Sequence, residues 1–480
     1  MFVASDQDQK ASSLLHYYYV VIRRFKVATA FVDVDGPYYI DERLEQNERV
    51  IRSLANRYTF EDSPDLGALV RPSDKHEPVQ RWFHYREGYT VELCQQYIRP
   101  DDQLVLDPFC GFGSTLLAAK RAGVPSIGFD VNPLASFVAS VKTRNYSSED
   151  LDTLRKIQTA IVGLSESDEQ AASPSIRILP KLFDSGILSA LNACRQIIDR
   201  EPDSKAKDLA LLCWLSVLES VSNTYREGNG LKYRNRVRRG NSYTVVPIAT
   251  WADSRFPADR VGFVSDRVSS AIDIALDDIE ENESSHQPLV IEGDSSLLSR
   301  DVRAGSVTSA IFSPPYCNCF NYIKAYKLEL WMGGFIKSYP QISGLTERGI
   351  RSRVESITAP APASEHKSVE AIARLVSEGD LWSTALPSVV RGYFADMTRL
   401  LEETYRALAK GGRATIVVGN SALAGVLIPT DLLLADIAAK IGFEVDRVRG
   451  ARHLTTSSQQ RIRLLPLKSF LRESVIELSK

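Results

Sequence analysis

The spacing of apolar residues along this chain changes several times, and each change marks an element. From Asp41 to Tyr58 they fall at Leu44, Val50, Ile51 and Leu54, one face of a helix. Upstream, Tyr17-Tyr18-Tyr19-Val20-Val21-Ile22 reads as a strand, and Pro72 to Pro78 as a linker. Beyond Trp82 short apolar runs alternate with amphipathic stretches. Tyr89 to Ile98 has helical spacing and stops before Pro100. Gln103 to Leu106 is a strand, Leu116 to Ala122 a helix closed by Gly123, and Ser126 to Phe129 a second strand ending at Asp130. Strand, glycine turn, helix, strand, acid is the opening of a parallel nucleotide-binding sheet.

That alternation stops near residue 146. Helical spacing dominates at Asp150 to Ser165, Ile187 to Arg200, Lys205 to Thr224 and Ala258 to Asn282, with a polar, basic stretch at Arg226 to Asn241. The strand pattern resumes at Leu289-Val290-Ile291-Glu292, then at Ser309-Ala310-Ile311-Phe312. Tyr322 to Lys337 reads as a helix and Gln341 to Pro387 as loop-rich. Tyr393 to Leu408 reads as a helix, Ala414 to Val418 as a buried strand and Thr430 to Ile441 as a helix. Phe443 to Val448 and Ser474 to Leu478 form a final antiparallel pair at the sheet edge. The pattern predicts an α/β fold, a mostly parallel Rossmann-like sheet with an antiparallel edge strand, interrupted by a helical insertion. The divisions fall at 1–78, an N-terminal extension; 79–145, the first part of the sheet domain; 146–285, the insertion; and 286–480, the second part, with a variable segment at 338–390.

Composition narrows this further. A chain of 480 residues is too long for one ordinary core, and 44% hydrophobic with 25% charged residues is globular. No apolar run has the length of a membrane span, and the N-terminus lacks a secretory pattern. Six scattered cysteines point to a reduced, cytoplasmic setting. Cys317 and Cys319 lack the further ligands a metal site needs, so no metal is expected. A net charge of −2 excludes a uniformly basic coat for nucleic acid but leaves room for local patches.

Two motifs carry chemistry. In Asp107-Pro108-Phe109-Cys110-Gly111-Phe112-Gly113-Ser114-Thr115, the two glycines let backbone approach a ligand, and the helix from Ser114 points free N–H groups at an anionic one. Asp130, 23 residues after Asp107 at the end of the next strand, stands where an acid pairs with ribose hydroxyls. Asp294, ending a third strand, is placed to hold an adenine amino group. Together these residues describe a pocket for an adenosine-containing cofactor. Leu116 occupies the third glycine position of a dinucleotide fingerprint, which weakens a nicotinamide or flavin reading. The second motif, Ser313-Pro314-Pro315-Tyr316, follows an apolar strand. Two prolines fix φ twice and make a rigid, non-helical loop. The Ser313 side chain and the Pro314 carbonyl can accept the hydrogens of an exocyclic amine, and Tyr316 offers a face to a base taken out of its stack.

With both motifs in this order, the chain resembles the S-adenosylmethionine-dependent DNA amino-methyltransferases. The first motif resembles their D-P-F-x-G-x-G-[ST]-T, the second their [DNS]-P-P-[YFW], and Arg472-Glu473-Ser474-Val475-Ile476 looks like their closing strand. The likeness covers about residues 80–140 and 288–480. It implies S-adenosylmethionine as cofactor, with Tyr89, Thr90, Asn132 and the motif residues around it. The stretch from Tyr85 to Ile98 matches the helix that closes over the cofactor's methionine end. The resemblance implies double-stranded DNA as substrate, methylated at cytosine N4 before adenine N6, since the serine form is typical of the former. Companion restriction endonucleases or phage-defence components, and a prokaryotic, nucleoid-associated location, follow from the same likeness. An RNA amino-methyltransferase and a non-catalytic DNA-binding subunit are the alternatives. Carbon-5 methylation needs a nucleophilic cysteine after a proline, and neither Cys110 nor Cys317 fits.

The local basic patch is Arg226, Lys232, Arg234, Arg236, Arg238 and Arg239, interleaved with Tyr225 and Tyr233. Its composition suits phosphate contact and makes the insertion the first candidate for DNA recognition. Arg348, Arg351 and Arg353, in segment 338–390, form a weaker second set. His84 and His453 have no partner spacing that points to catalysis.

Overall fold

The computed structural model describes residues 42–71, 76–84, 87–165, 178–227, 230–240, 242–279, 284, 286–455, 460 and 463–480. The strand expected at Tyr17 to Ile22 and the start of the linker at Pro72 lie outside them. So do Tyr85 and the side chain of Arg239. Residues Gln46–Lys480 form one compact unit.

The strands among the described residues are β1 (Phe60–Asp62), β2 (Val105–Asp107), β3 (Ser126–Asp130), β4 (Thr224–Glu227), β5 (Gly230–Tyr233), β6 (Arg236–Arg239), β7 (Ser242–Val245), β8 (Leu289–Glu292), β9 (Val307–Phe312), β10 (Leu408–Gly419), β11 (Ser421–Leu423), β12 (Val426–Ile428), β13 (Glu444–His453) and β14 (Arg472–Ser479). Eight of them make one sheet in the order β1-β13-β14-β10-β9-β2-β3-β8. Every neighbouring pair is parallel except the two that involve β14. Helices cover such a sheet, so its strands are apolar on both faces; Ser309 to Phe312 in β9 are all buried.

The antiparallel strand expected at the edge stands two places in from it. The chain passes the gap beside β10, lays down β13, and returns in β14 to fill that gap. β1, from the segment read as an extension, then adds outside β13 with Phe60 opposite Val448. Because β14 runs backwards, its first residues lie at the carboxyl end of the parallel strands. From β2 the chain steps outward through β3 to β8, then crosses back to β9 on the other side of β2 and outward to β10. The carboxyl ends of β2 and β9 therefore adjoin where strand order reverses, the crevice in which open α/β sheets bind ligands.

The insertion is helical at Ser148–Val162, Ser185–Arg200, Lys205–Val221 and Arg260–Ile279. Ser147 and Asp150 form a capping box on the first of these. The basic stretch folds as two hairpins, β4 with β5 and β6 with β7. Segment 338–390 is less irregular than its prolines suggest. Ser338 and Gln341 box a helix at Tyr339–Arg348, and Lys367–Ser377 is a second, burying Val369, Ile372 and Val376. The helix expected over Tyr322 to Lys337 is two short ones, Tyr322–Ala325 and Lys327–Met332, broken at Tyr326. None of the described helices is long and apolar enough to cross a membrane.

Candidate active site and nucleic-acid interface

At the switch point a cavity of about 300 Å³ opens, lined on one side by Pro108, Phe109, Asp130, Asn132 and Asp294 and on another by Ser313, Pro314, Pro315 and Tyr316. The two motifs, 198 residues apart between Thr115 and Ser313, meet because β2 and β9 are neighbours, with Val105 opposite Ser309.

Gly111 and Gly113 have φ of 50° and 89°, conformations open to glycine at low cost. A Cβ at Gly113 would also lie 3.3 Å from Ala139. The helix Ser114–Arg121 begins at Gly113 without a side-chain cap, so its first amides keep their donors for an anionic group. Asp130 ends β3 and shapes the turn: Gly111 N donates to Oδ2 at 3.1 Å and Asn132 N to Oδ1 at 2.8 Å. Burial pushes its carboxyl up to about 6, opposed by those two amides. Asn132 caps the next helix through Leu134 N at 3.1 Å. Asp294 accepts from Ser296 N at 2.8 Å through Oδ1.

Asp107, Tyr89 and Thr115 stand behind this wall. Asp107 is buried, accepts from Phe109 N at 3.0 Å and from Tyr89 Oη at 3.3 Å, and burial raises its carboxyl to about 7. Tyr89 Oη and Thr115 Oγ1 are 2.6 Å apart, and Thr115 donates to Ile311 O at 3.2 Å, tying β9 to the glycine turn. Thr90 caps the helix Val91–Tyr97 through Leu93 N, and Ser114 Oγ accepts from Gln80 at 3.4 Å. These residues hold the shape of the pocket, while Glu87, Gly88 and Phe112 join the lining.

Tyr316 Oη donates to Glu473 Oε1, and Arg452 Nε donates to Glu473 Oε2. Burial first, and Glu473 second, push the Tyr316 hydroxyl well above its usual range, so it stays protonated. Glu473 is the second residue of β14, opposite Gly419 and Arg452. Alternation along the strand sends Arg472 and Ser474 to Asp431 on the other face, both at 2.9 Å, and leaves Glu473 facing the cavity. A Cβ at Gly419 would come within 2.6 Å of the Tyr316 ring, so a glycine there makes room for it. The signal for Glu473 was present in the closing strand, but its reach to Tyr316 depends on the reversed direction of β14. Cys110 and Cys317 are buried, and burial raises both thiols well above the range of a reactive thiolate.

The basic patch divides. Arg226 pairs with Glu219 and Glu329, donates to Ala325 O at 3.1 Å and covers the Tyr326 ring at 4.5 Å. Its side chain is only 10% exposed, which corrects its placement as a phosphate contact. The arginine was indistinguishable in sequence from its neighbours; one carboxylate partner lies on the helix just before it and the other on a helix 103 residues further along. Arg234 is half-buried and donates to Thr224 O at 2.8 Å. Lys232, Arg236 and Arg238 are exposed on the hairpins.

No family model matches the chain. It is 25% identical over 468 residues to the type II methyltransferase M.BsoBI of Geobacillus stearothermophilus, covering 88% of this chain and 89% of that one. It is 23% identical to type II methyltransferase M.AvaI of a Nostoc species, over 87% and 90% of the two chains. With type II methyltransferase M.MvaI of Kocuria varians it shares 20% over 73% and 77%.

Proposed function

We propose, from the premise that this chain belongs to the DNA methyltransferase family, that it methylates the N4 amino group of a cytosine flipped out of duplex DNA, with S-adenosylmethionine as donor. The observation that carries this reading is that Ser313-Pro314-Pro315-Tyr316 lines one cavity with Pro108, Phe109 and Phe112 of the first motif and with Asp130 and Asp294.

The residues present fit the cofactor. Uncapped amides at Ser114 suit its carboxylate, Asp130 its ribose hydroxyls, and the remaining oxygen of Asp294 its adenine amino group. When bound, S-adenosylmethionine supplies a methyl group on a positively charged sulfur. The chain's own residues do the rest. An exocyclic amine is a weak nucleophile because its lone pair is delocalised into the ring. Ser313 Oγ and Pro314 O accept its two hydrogens and draw the nitrogen toward a tetrahedral shape. Tyr316, fixed by Glu473 and seated on Gly419, offers the base a surface that does not move. The amine becomes acidic as it is methylated, so its proton can leave late and no strong base is required.

Lys232, Arg236 and Arg238 on the exposed hairpins supply phosphate contacts, and a restriction endonuclease or a defence component is the expected biological companion. Incubating the protein with labelled cofactor and either duplex DNA or tRNA tests the reading. Label in the duplex is the expected result; label only in tRNA would overturn it.

A further inference from the structure

The segment Arg348 to Arg353 lends the cavity five of its lining residues, all but Arg351. Arg351 anchors that segment, donating to Asp396 from its backbone N at 2.9 Å, from Nε at 2.9 Å and from Nη2 at 2.6 Å. Cys319 N donates to Ser352 O at 3.1 Å, which joins the segment to the chain just beyond Ser313-Pro314-Pro315-Tyr316. Arg353 lines the cavity although it is only 4% exposed. Its Nε has no acceptor, and its Nη2 reaches Thr346 O at a long 3.4 Å. The hydroxyl of Ser352, also on the wall and 1% exposed, has no partner either. Glu355, whose charge acts on Arg353, is paired with Lys324 at 2.9 Å. Buried guanidinium donors are normally satisfied. Arg353 and Ser352 both line the cavity together with Tyr322, which is hydrogen-bonded to the Tyr316 backbone.

We propose that Arg353 reads the acceptor edge of the flipped base and so selects cytosine over adenine. This rests on the amino-methylation reading above. With its amino group at Ser313, cytosine presents a ring nitrogen and then a carbonyl oxygen along the same edge, two adjacent acceptors. Adenine presents a ring nitrogen and then a C–H. A guanidinium has two donors in a fixed fork, matching cytosine at both positions and adenine at one. Ser352 Oγ adds a donor on the same wall. The cofactor's carboxylate is the other group a guanidinium could take, and the test separates the two.

Wild type, Arg353→Met and Arg353→Lys are compared on amplified, unmethylated genomic DNA. The readouts are cofactor affinity by calorimetry, kcat/KM for methyl transfer, and the ratio of N4-methylcytosine to N6-methyladenine by nucleoside mass. Expected are cofactor affinities within about twofold of wild type, a fall in kcat/KM of about 100-fold for methionine and about 10-fold for lysine, and a rising adenine share in the residual product. Unchanged kcat/KM and product ratio in Arg353→Met would overturn the proposal. So would lost cofactor affinity in both variants, or wild-type product that is only N6-methyladenine. Wild type that labels no DNA base would overturn the amino-methylation reading itself, before any variant is considered.

Discussion

Ser313 follows the end of β9 and lines the cavity beside Tyr316 and Glu473. Its role is to accept a hydrogen from the reacting amine, so its loss should fall on the chemical step. Ser313→Ala is expected to lower kcat by about 100-fold while leaving cofactor affinity unchanged, read by single-turnover methyl transfer. Asp107 has the opposite character: it touches no cavity surface, and its effect is on stability. Burial raises its carboxyl from an ordinary value to about 7. A raised acid helps folding while it is protonated, below about pH 4, and that help disappears as pH climbs through about 7. Asp107→Asn removes the titration and keeps an acceptor for Phe109 N. Thermal unfolding should show the variant gaining on wild type between pH 5 and pH 8, by no more than about 4 kcal/mol. A constant difference across that range would mean that Asp107 does not titrate there.

The elements carry the division between holding DNA and holding the fold. On β4 to β7, Lys232, Arg236 and Arg238 are exposed, whereas Arg226 is locked between Glu219 and Glu329. Replacing the three exposed residues with alanine should flatten the salt dependence of duplex binding by up to about 3 in log–log slope, with unfolding unchanged, as fluorescence anisotropy would measure. Arg226→Ala should instead destabilise by about 3 to 5 kcal/mol in denaturant titration, because Glu329 is left buried and unpaired. Sequence patterns found most helices here to within a few residues, since each buries one regularly spaced face. They also found β2, β3 and β9, whose apolar runs end in turn residues. They missed the helices at Pro133–Thr143 and Tyr339–Arg348, the helix at Lys367–Ser377, hidden behind Pro360 and Pro362, and the short β1, which has too few residues to show a period. Which arginine of a basic run is buried depends on partners 103 residues away, such as Glu329, and no local pattern reveals that.

At the scale of the whole molecule, the strand order makes the site. The motifs were legible as separate chemistries because each needs a fixed residue type: glycine for φ, proline for a rigid corner, acid at a strand end. Their meeting was not, because adjacency of β2 and β9 is a property of the sheet. The same holds for Glu473, which reaches Tyr316 only because β14 runs against its neighbours. The measurement that tests the central claim most directly is nucleoside mass spectrometry of unmethylated duplex DNA after incubation with the protein and methyl-labelled S-adenosylmethionine. The account predicts label in N4-methylcytosine. Label only in N6-methyladenine, label at cytosine carbon 5, or none in DNA, would contradict it.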